Sequence, residues 1–85
     1  VTKARIDFLV DGAQRQFHVF PGTTLTVCCL TLPNGFCVTG ESAAASPENF
    51  DREIGERIAL ENAKHKVWAL EGYLLKQSLY SASTN

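Results

Sequence analysis

From Ser46 to Tyr80 the chain reads as one long helix that is apolar on two opposite sides. Advancing by about 100° per residue places Phe50, Ile54, Ile58, Trp68, Ala69, Leu75 and Leu79 on one side, with His65 and Gly72 among them. Ala59, Leu60, Ala63, Val67, Leu70 and Leu74 fall roughly opposite, and narrow polar seams separate the two stripes. A small sheet covers only one side of a helix, and 85 residues leave little other material for the second. The expectation is therefore an oligomer or partner interface along Leu60, Ala63, Val67, Leu70 and Leu74. Two other readings stay open. A break near Gly72 would fold the helix back into a hairpin, or the pattern does not report packing at all.

The helix start is well marked. Ser46 is suited to cap it, Pro47 to occupy the first helical position, and Glu48 and Asp51 to meet the positive end of the macrodipole. Ala45 and Phe50 are spaced to pack across that cap. Residues 81–85 read as a flexible tail.

The first half reads as a sheet of two hairpins. In ARIDFLV, Ala4, Ile6, Phe8 and Val10 alternate onto one face, and Asp11-Gly12 suits a two-residue turn into a return strand over 13–20. That turn would set Ile6 opposite Phe17 and Ala4 opposite Val19. Pro21-Gly22 then breaks the chain, and TTLTVCCLTL and FCVTG form a second hairpin at Asn34-Gly35. With Leu32 opposite Cys37, one face carries Leu25, Val27, Cys29, Phe36 and Val38, and the other carries Cys28, Leu30, Leu32 and Cys37. GESAAAS, residues 40–46, is a small-residue connector into the helix. The fold expected is α+β in a single domain, 1–85: a four-stranded antiparallel sheet over 1–42 with one long helix, 46–80, packed on it.

Composition narrows the function. Eight basic and nine acidic residues are mixed along the chain, so no basic stripe marks generic nucleic-acid binding. No apolar run reaches the roughly 20 residues of a membrane span, and VTKARIDF lacks the apolar core of a signal peptide, so a soluble intracellular protein without membrane contact is expected. Cys28, Cys29 and Cys37 lack metal or redox spacing, His18 and His65 sit in different elements, and reduced, packed thiols are expected.

The inventory for catalysis is thin. Gly40-Glu41-Ser42 lacks the second glycine and the histidine partner of a nucleophile elbow, and Gly22 stands alone rather than in a phosphate loop. His65 reads as a core or interface histidine and Trp68 as an anchor. Asp51, Arg52, Glu53, Glu56 and Arg57 read as a solvated, self-paired face. No catalytic residue, metal or cofactor is expected.

The pieces LTLPNGFCVTGES, PENFD, EIG, ENA at 61–63 and WALEGYLL at 68–75 together resemble a family of small proteins encoded by tailed bacteriophages and prophages. The likeness covers roughly Thr24 to Gln77, and the first 20 residues carry little of it. Where a small residue followed by Cys is common in that family's connector, this chain has Ala43-Ala44. The resemblance implies a phage origin and expression in the cytoplasm of an infected bacterial host, and it implies no reaction. By analogy with other small phage proteins, the expected role is a non-enzymatic accessory protein. It would bind itself as a homodimer or higher oligomer, and a host target such as an antiviral defence factor. The alternative is an oligomeric sponge for a small cyclic nucleotide, with Arg52, Arg57, Lys64 or Lys66 on phosphates and Trp68 or Tyr73 on a base.

Overall fold

The computed structural model describes residues 2–83. In chain order the elements are helix α1 (Lys3–Asp11), strands β1 (Gln14–Val19), β2 (Leu25–Thr31) and β3 (Cys37–Ala43), a 3-10 turn at Pro47–Asn49, and helix α2 (Arg52–Ser83). The strands form one antiparallel sheet in the order β1-β2-β3, and α2 crosses it over β3 and β2. The fold is α+β, with three strands rather than four.

The missing strand is α1. Seven alternating residues are compatible with either period, and here the i, i+4 pair Ile6 and Val10 goes into the core while Phe8 stays 68% exposed. Thr2 caps the helix by accepting from the Arg5 N–H at 3.2 Å. Asp11-Gly12 ends it, the Gly12 N–H donating to the Phe8 carbonyl at 3.2 Å. The expected pairings of Ile6 with Phe17 and Ala4 with Val19 therefore do not exist. Phe17 pairs with Cys28 and Val19 with Thr26.

The hairpin between β2 and β3 has an odd loop, which changes the register. Gly35 donates to the Leu32 carbonyl and Leu32 to the Phe36 carbonyl, both at 2.8 Å. Pro33 and Asn34 make the turn, and Gly35 takes the left-handed conformation at φ 90°. The register becomes Thr31 with Cys37 and Leu30 with Val38 instead of Leu32 with Cys37. A shift of one residue swaps the faces of β3. Val38 turns into the core and Cys37 to solvent, the reverse of the expected arrangement. β3 also runs through Glu41 and Ser42 to Ala43, which pairs with Leu25, so the expected connector is partly strand.

The N-terminus of α2 is capped by Asp51, not Ser46. Asp51 Oδ1 accepts from the Glu53 and Ile54 N–H groups at 3.0 and 3.3 Å. Ser46 instead precedes the short 3-10 turn and makes no side-chain cap there, and Phe50 returns to extended backbone before α2 begins. From Arg52 the helix is unbroken through Gly72 to Ser83, so there is no hairpin. Residues 81–83 of the expected tail are helical, and 84–85 lie outside the described residues.

The core sits between the sheet and α2, closed at one side by α1. Ile6, Cys28, Leu30, Ala59, Ala63 and Val67 are fully buried, with Val10, Leu32 and Val38 nearly so. Burying a side chain of the size of Ile6, Leu30 or Val67 contributes about 2 kcal/mol. The helix presents Gly55, Ala59, Ala63 and Val67, a row at i, i+4 spacing that begins small, so its backbone lies close on the strands. Gly40 lies under that row, and a Cβ there would collide with the backbone of Ala59 and Ala63. Ion pairs fix α1 against the flank of α2: Lys64 to Asp7 at 2.9 Å and Arg5 to Glu71 at 2.9 Å.

Candidate interaction surface

A helix of 32 residues is about 48 Å long, whereas the molecule measures 58 × 22 × 20 Å overall. The strands cannot follow it that far. Val67 is the last buried residue of α2, and from Trp68 onward the helix runs out past the sheet. Leu70, Tyr73, Leu74, Leu75, Leu79 and Tyr80 are between 40% and 72% exposed on this extension. A helix apolar on several sides is ordinarily buried on several sides, and these side chains are left largely exposed.

The expected interface stripe is divided by the structure. Ala63 and Val67 face the sheet with no exposed surface, and Leu60 is half-buried beside them. Only Leu70 and Leu74 are solvent-exposed, because they lie past the end of the sheet. The outward stripe along the sheet-covered part is the opposite one, carried by Ile54, Ile58 and Trp68 at 46%, 43% and 36% exposure. Helical periodicity separates the stripes but does not say which meets the sheet. The residue sizes carried that information: only the row Gly55, Ala59, Ala63 is small enough for close helix-on-sheet packing.

Leu74 borders a cleft of its own. Arg5, Phe8 and Leu9 of α1, Leu32, Pro33 and Asn34 of the β2–β3 turn, and Glu71 and Leu74 of α2 line it. The Arg5–Glu71 pair sits in its wall, and Phe8 is exposed at its rim. Sequence reasoning missed Phe8 and Leu9 here because it placed them on a strand.

The cationic side chains considered for phosphate contact do not converge. Arg52 pairs with Glu56 at 3.1 Å, while Lys66 reaches Glu41 at 4.0 Å and Thr39 at 3.5 Å. Lys64 is held by Asp7, whose carboxylate raises its pKa, and Arg57 lies exposed on the helix flank. Trp68 shares a shallow hollow with Lys3, Glu61, Lys64 and His65, whereas Tyr73 projects elsewhere, 72% exposed. The three thiols are free, and burial pushes that of Cys28 above its ordinary pKa. Among the described residues, no group of three or more His, Cys, Asp or Glu side chains is placed to hold a metal ion, and no helix is long and apolar enough to cross a membrane.

The sequence model of the phage protein (N4 Gp49/phage Sf6 gene 66) family matches residues 1–79. The chain belongs to that family. The match takes in α1 and β1 as well as the segments from Thr24 onward, so the phage family spans the whole α1–sheet–α2 arrangement up to the last turn of α2. No curated protein and no solved structure gives a significant match.

Proposed function

We propose that this phage family member is a non-enzymatic accessory protein that works by protein–protein contact in the cytoplasm of the infected host. In this reading it inhibits or modulates a host factor such as a component of antiviral defence. One observation carries the proposal: α2 continues past its own sheet with Leu70, Tyr73 and Leu74 exposed, next to the cleft that Phe8 and Leu9 share with Leu74. An exposed apolar surface of this kind, rimmed by charged groups such as Arg5 and Glu71, is typical of a recognition site.

The test is affinity purification from infected cells with the wild-type chain and a Leu70→Glu/Leu74→Glu variant, followed by mass spectrometry of proteins and small molecules. A host protein retained by the wild type and lost from the variant is the expected result. If both chains retain the same proteins, the proposal fails. The nucleotide-sponge reading has weaker support, since Arg52, Lys64 and Lys66 already have carboxylate partners. Heat on calorimetric titration with cyclic nucleotides would favour it instead.

A further inference from the structure

The outward stripe of α2 is more regular than an ordinary exposed face. Ile54, Ile58, Glu61, His65, Trp68, Gly72, Leu75 and Leu79 follow one another at alternating steps of four and three residues. That is the seam of a heptad repeat, and it runs unbroken along the helix on the side away from Ala59 and Ala63. Its apolar members are all exposed: Ile54, Ile58, Trp68, Leu75 and Leu79. The buried row of α2, Gly55, Ala59, Ala63 and Val67, includes no seam residue, and of the seam only Ile54 and Ile58 border a hollow with Thr24, Ser42, Ala43 and Phe50.

The spacing of the seam reads the same from either end, with two apolar residues at each end and the polar ones toward the middle. Two copies laid antiparallel, centred between His65 and Trp68, set Ile54 against Leu79, Ile58 against Leu75, Glu61 against Gly72, and His65 against Trp68, each pair occurring twice. Such self-complementarity is what a two-fold interface requires. The flanks do not oppose the pairing: Lys64 of one copy comes beside Glu71 of the other, each already paired within its own copy, and Arg57 beside Ser78, so no like charges meet. Gly72 leaves room for the Glu61 stem, and polar residues at the middle of a seam fix its register. The five apolar residues are 36% to 59% exposed within one copy, and together they would form the apolar centre of an interface whose standard size is about 800 Å² per partner.

We infer that the protein is a homodimer held by an antiparallel pairing of α2 along this seam. The arrangement lays the helical extension of each copy over the sheet-covered part of the other. It leaves Leu70 and Leu74 on the opposite side of the extension, so the dimer stands independently of whatever that side binds.

Sedimentation or light scattering of the intact chain should give the mass of two copies. Trp68 is the only tryptophan, so its fluorescence should shift to longer wavelength on dilution, over the same concentrations at which the mass halves. Ile58→Lys and Leu75→Glu, each at a position exposed within one copy, should separately give monomers with unchanged helical circular dichroism. The double variant should recover the dimer, because antiparallel pairing brings the introduced cation against the introduced carboxylate. A wild-type chain of monomer mass with no dilution shift overturns the inference. So does a dimer that survives both single changes, or a folded double variant that stays monomeric as a parallel pairing would require. Leu70→Glu/Leu74→Glu should remain dimeric, which separates failure of this inference from failure of the proposed host contact.

Discussion

Gly40 in β3 lies directly beneath Ala63 in α2, so close that the strand and the helix meet backbone to backbone. A methyl group at position 40 would collide with the Ala59 carbonyl and the Ala63 amide, neither of which is a flexible side-chain end. Gly40→Ala should therefore destabilise the fold by on the order of 3 kcal/mol, the upper range for overpacking. Urea denaturation followed by circular dichroism measures it, and an unchanged midpoint would mean that helix and strand are farther apart.

Thr26 has no exposed surface, and its hydroxyl has no hydrogen-bond partner among the described residues. It faces Gly55, where an added Cβ would stand 3.1 Å from the Thr26 Oγ1. A buried hydroxyl without a partner has lost its hydration for nothing in return. Thr26→Val keeps the shape and should stabilise the protein by about 1 kcal/mol, read as a higher urea midpoint. A loss of stability would reveal a partner for that oxygen.

The Asp7–Lys64 pair should leave a mark on pH dependence. Hydrogen bonds from Lys64, and then Lys3, hold the Asp7 carboxyl below its ordinary 3.8, and the same contact raises Lys64 above 10.5. The depressed carboxylate stabilises the fold in full above pH 3.8 and stops doing so as pH falls through its lowered value. The raised ammonium contributes in full below 10.5 and is lost as pH rises through its elevated value. Asp7→Asn should lower the urea midpoint at neutral pH, with the difference from wild type closing in acid. A difference that persists at acid pH would assign the effect to packing.

Thiol reactivity should follow burial. Cys37 is exposed, Cys29 half-buried and Cys28 fully buried with a raised pKa. The thiolate is the reactive form, so alkylation tracked by peptide mass spectrometry should modify Cys37 first and Cys28 only on unfolding. Early modification of Cys28 would contradict the register that faces it toward α2.

Gly72 lies in mid-helix with open space around the position of an added Cβ. In the monomeric Ile58→Lys background, Gly72→Ala should raise stability by about 1 kcal/mol through helix propensity, seen as a higher melting temperature. In the dimer the gain should shrink, because Glu61 of the other copy takes up that space, and an equal gain in both backgrounds would count against the pairing of Glu61 with Gly72.

The existence of α2, of β1 to β3 and of both turns after β1 was legible because each rests on local chemistry. Pro21-Gly22 makes a turn with Gly22 at φ 77° and Thr23 donating back to Phe20, as the dipeptide suggests. Where two local readings were equally good, the residues alone misled. Ile6 and Val10 satisfy a strand and a helix alike, and Asn34-Gly35 serves an even or an odd loop. The candidate surface was legible as two stripes, but their assignment was inverted at Ala63 and Val67.

The sequence by itself determined the secondary-structure inventory of the second half, the long two-striped helix and the phage-family likeness, because periodicity, capping and turn chemistry act over a few neighbouring residues. Only the tertiary structure decided that the N-terminal segment is a helix, that β3 turns Val38 inward, and that Gly55, Ala59, Ala63 and Val67 are the side of α2 that meets the sheet. Those outcomes depend on what each face packs against. The tight fit of Gly40 under Ala59 and Ala63, which no stretch of neighbouring residues encodes, turns Ile54, Ile58 and Trp68 outward.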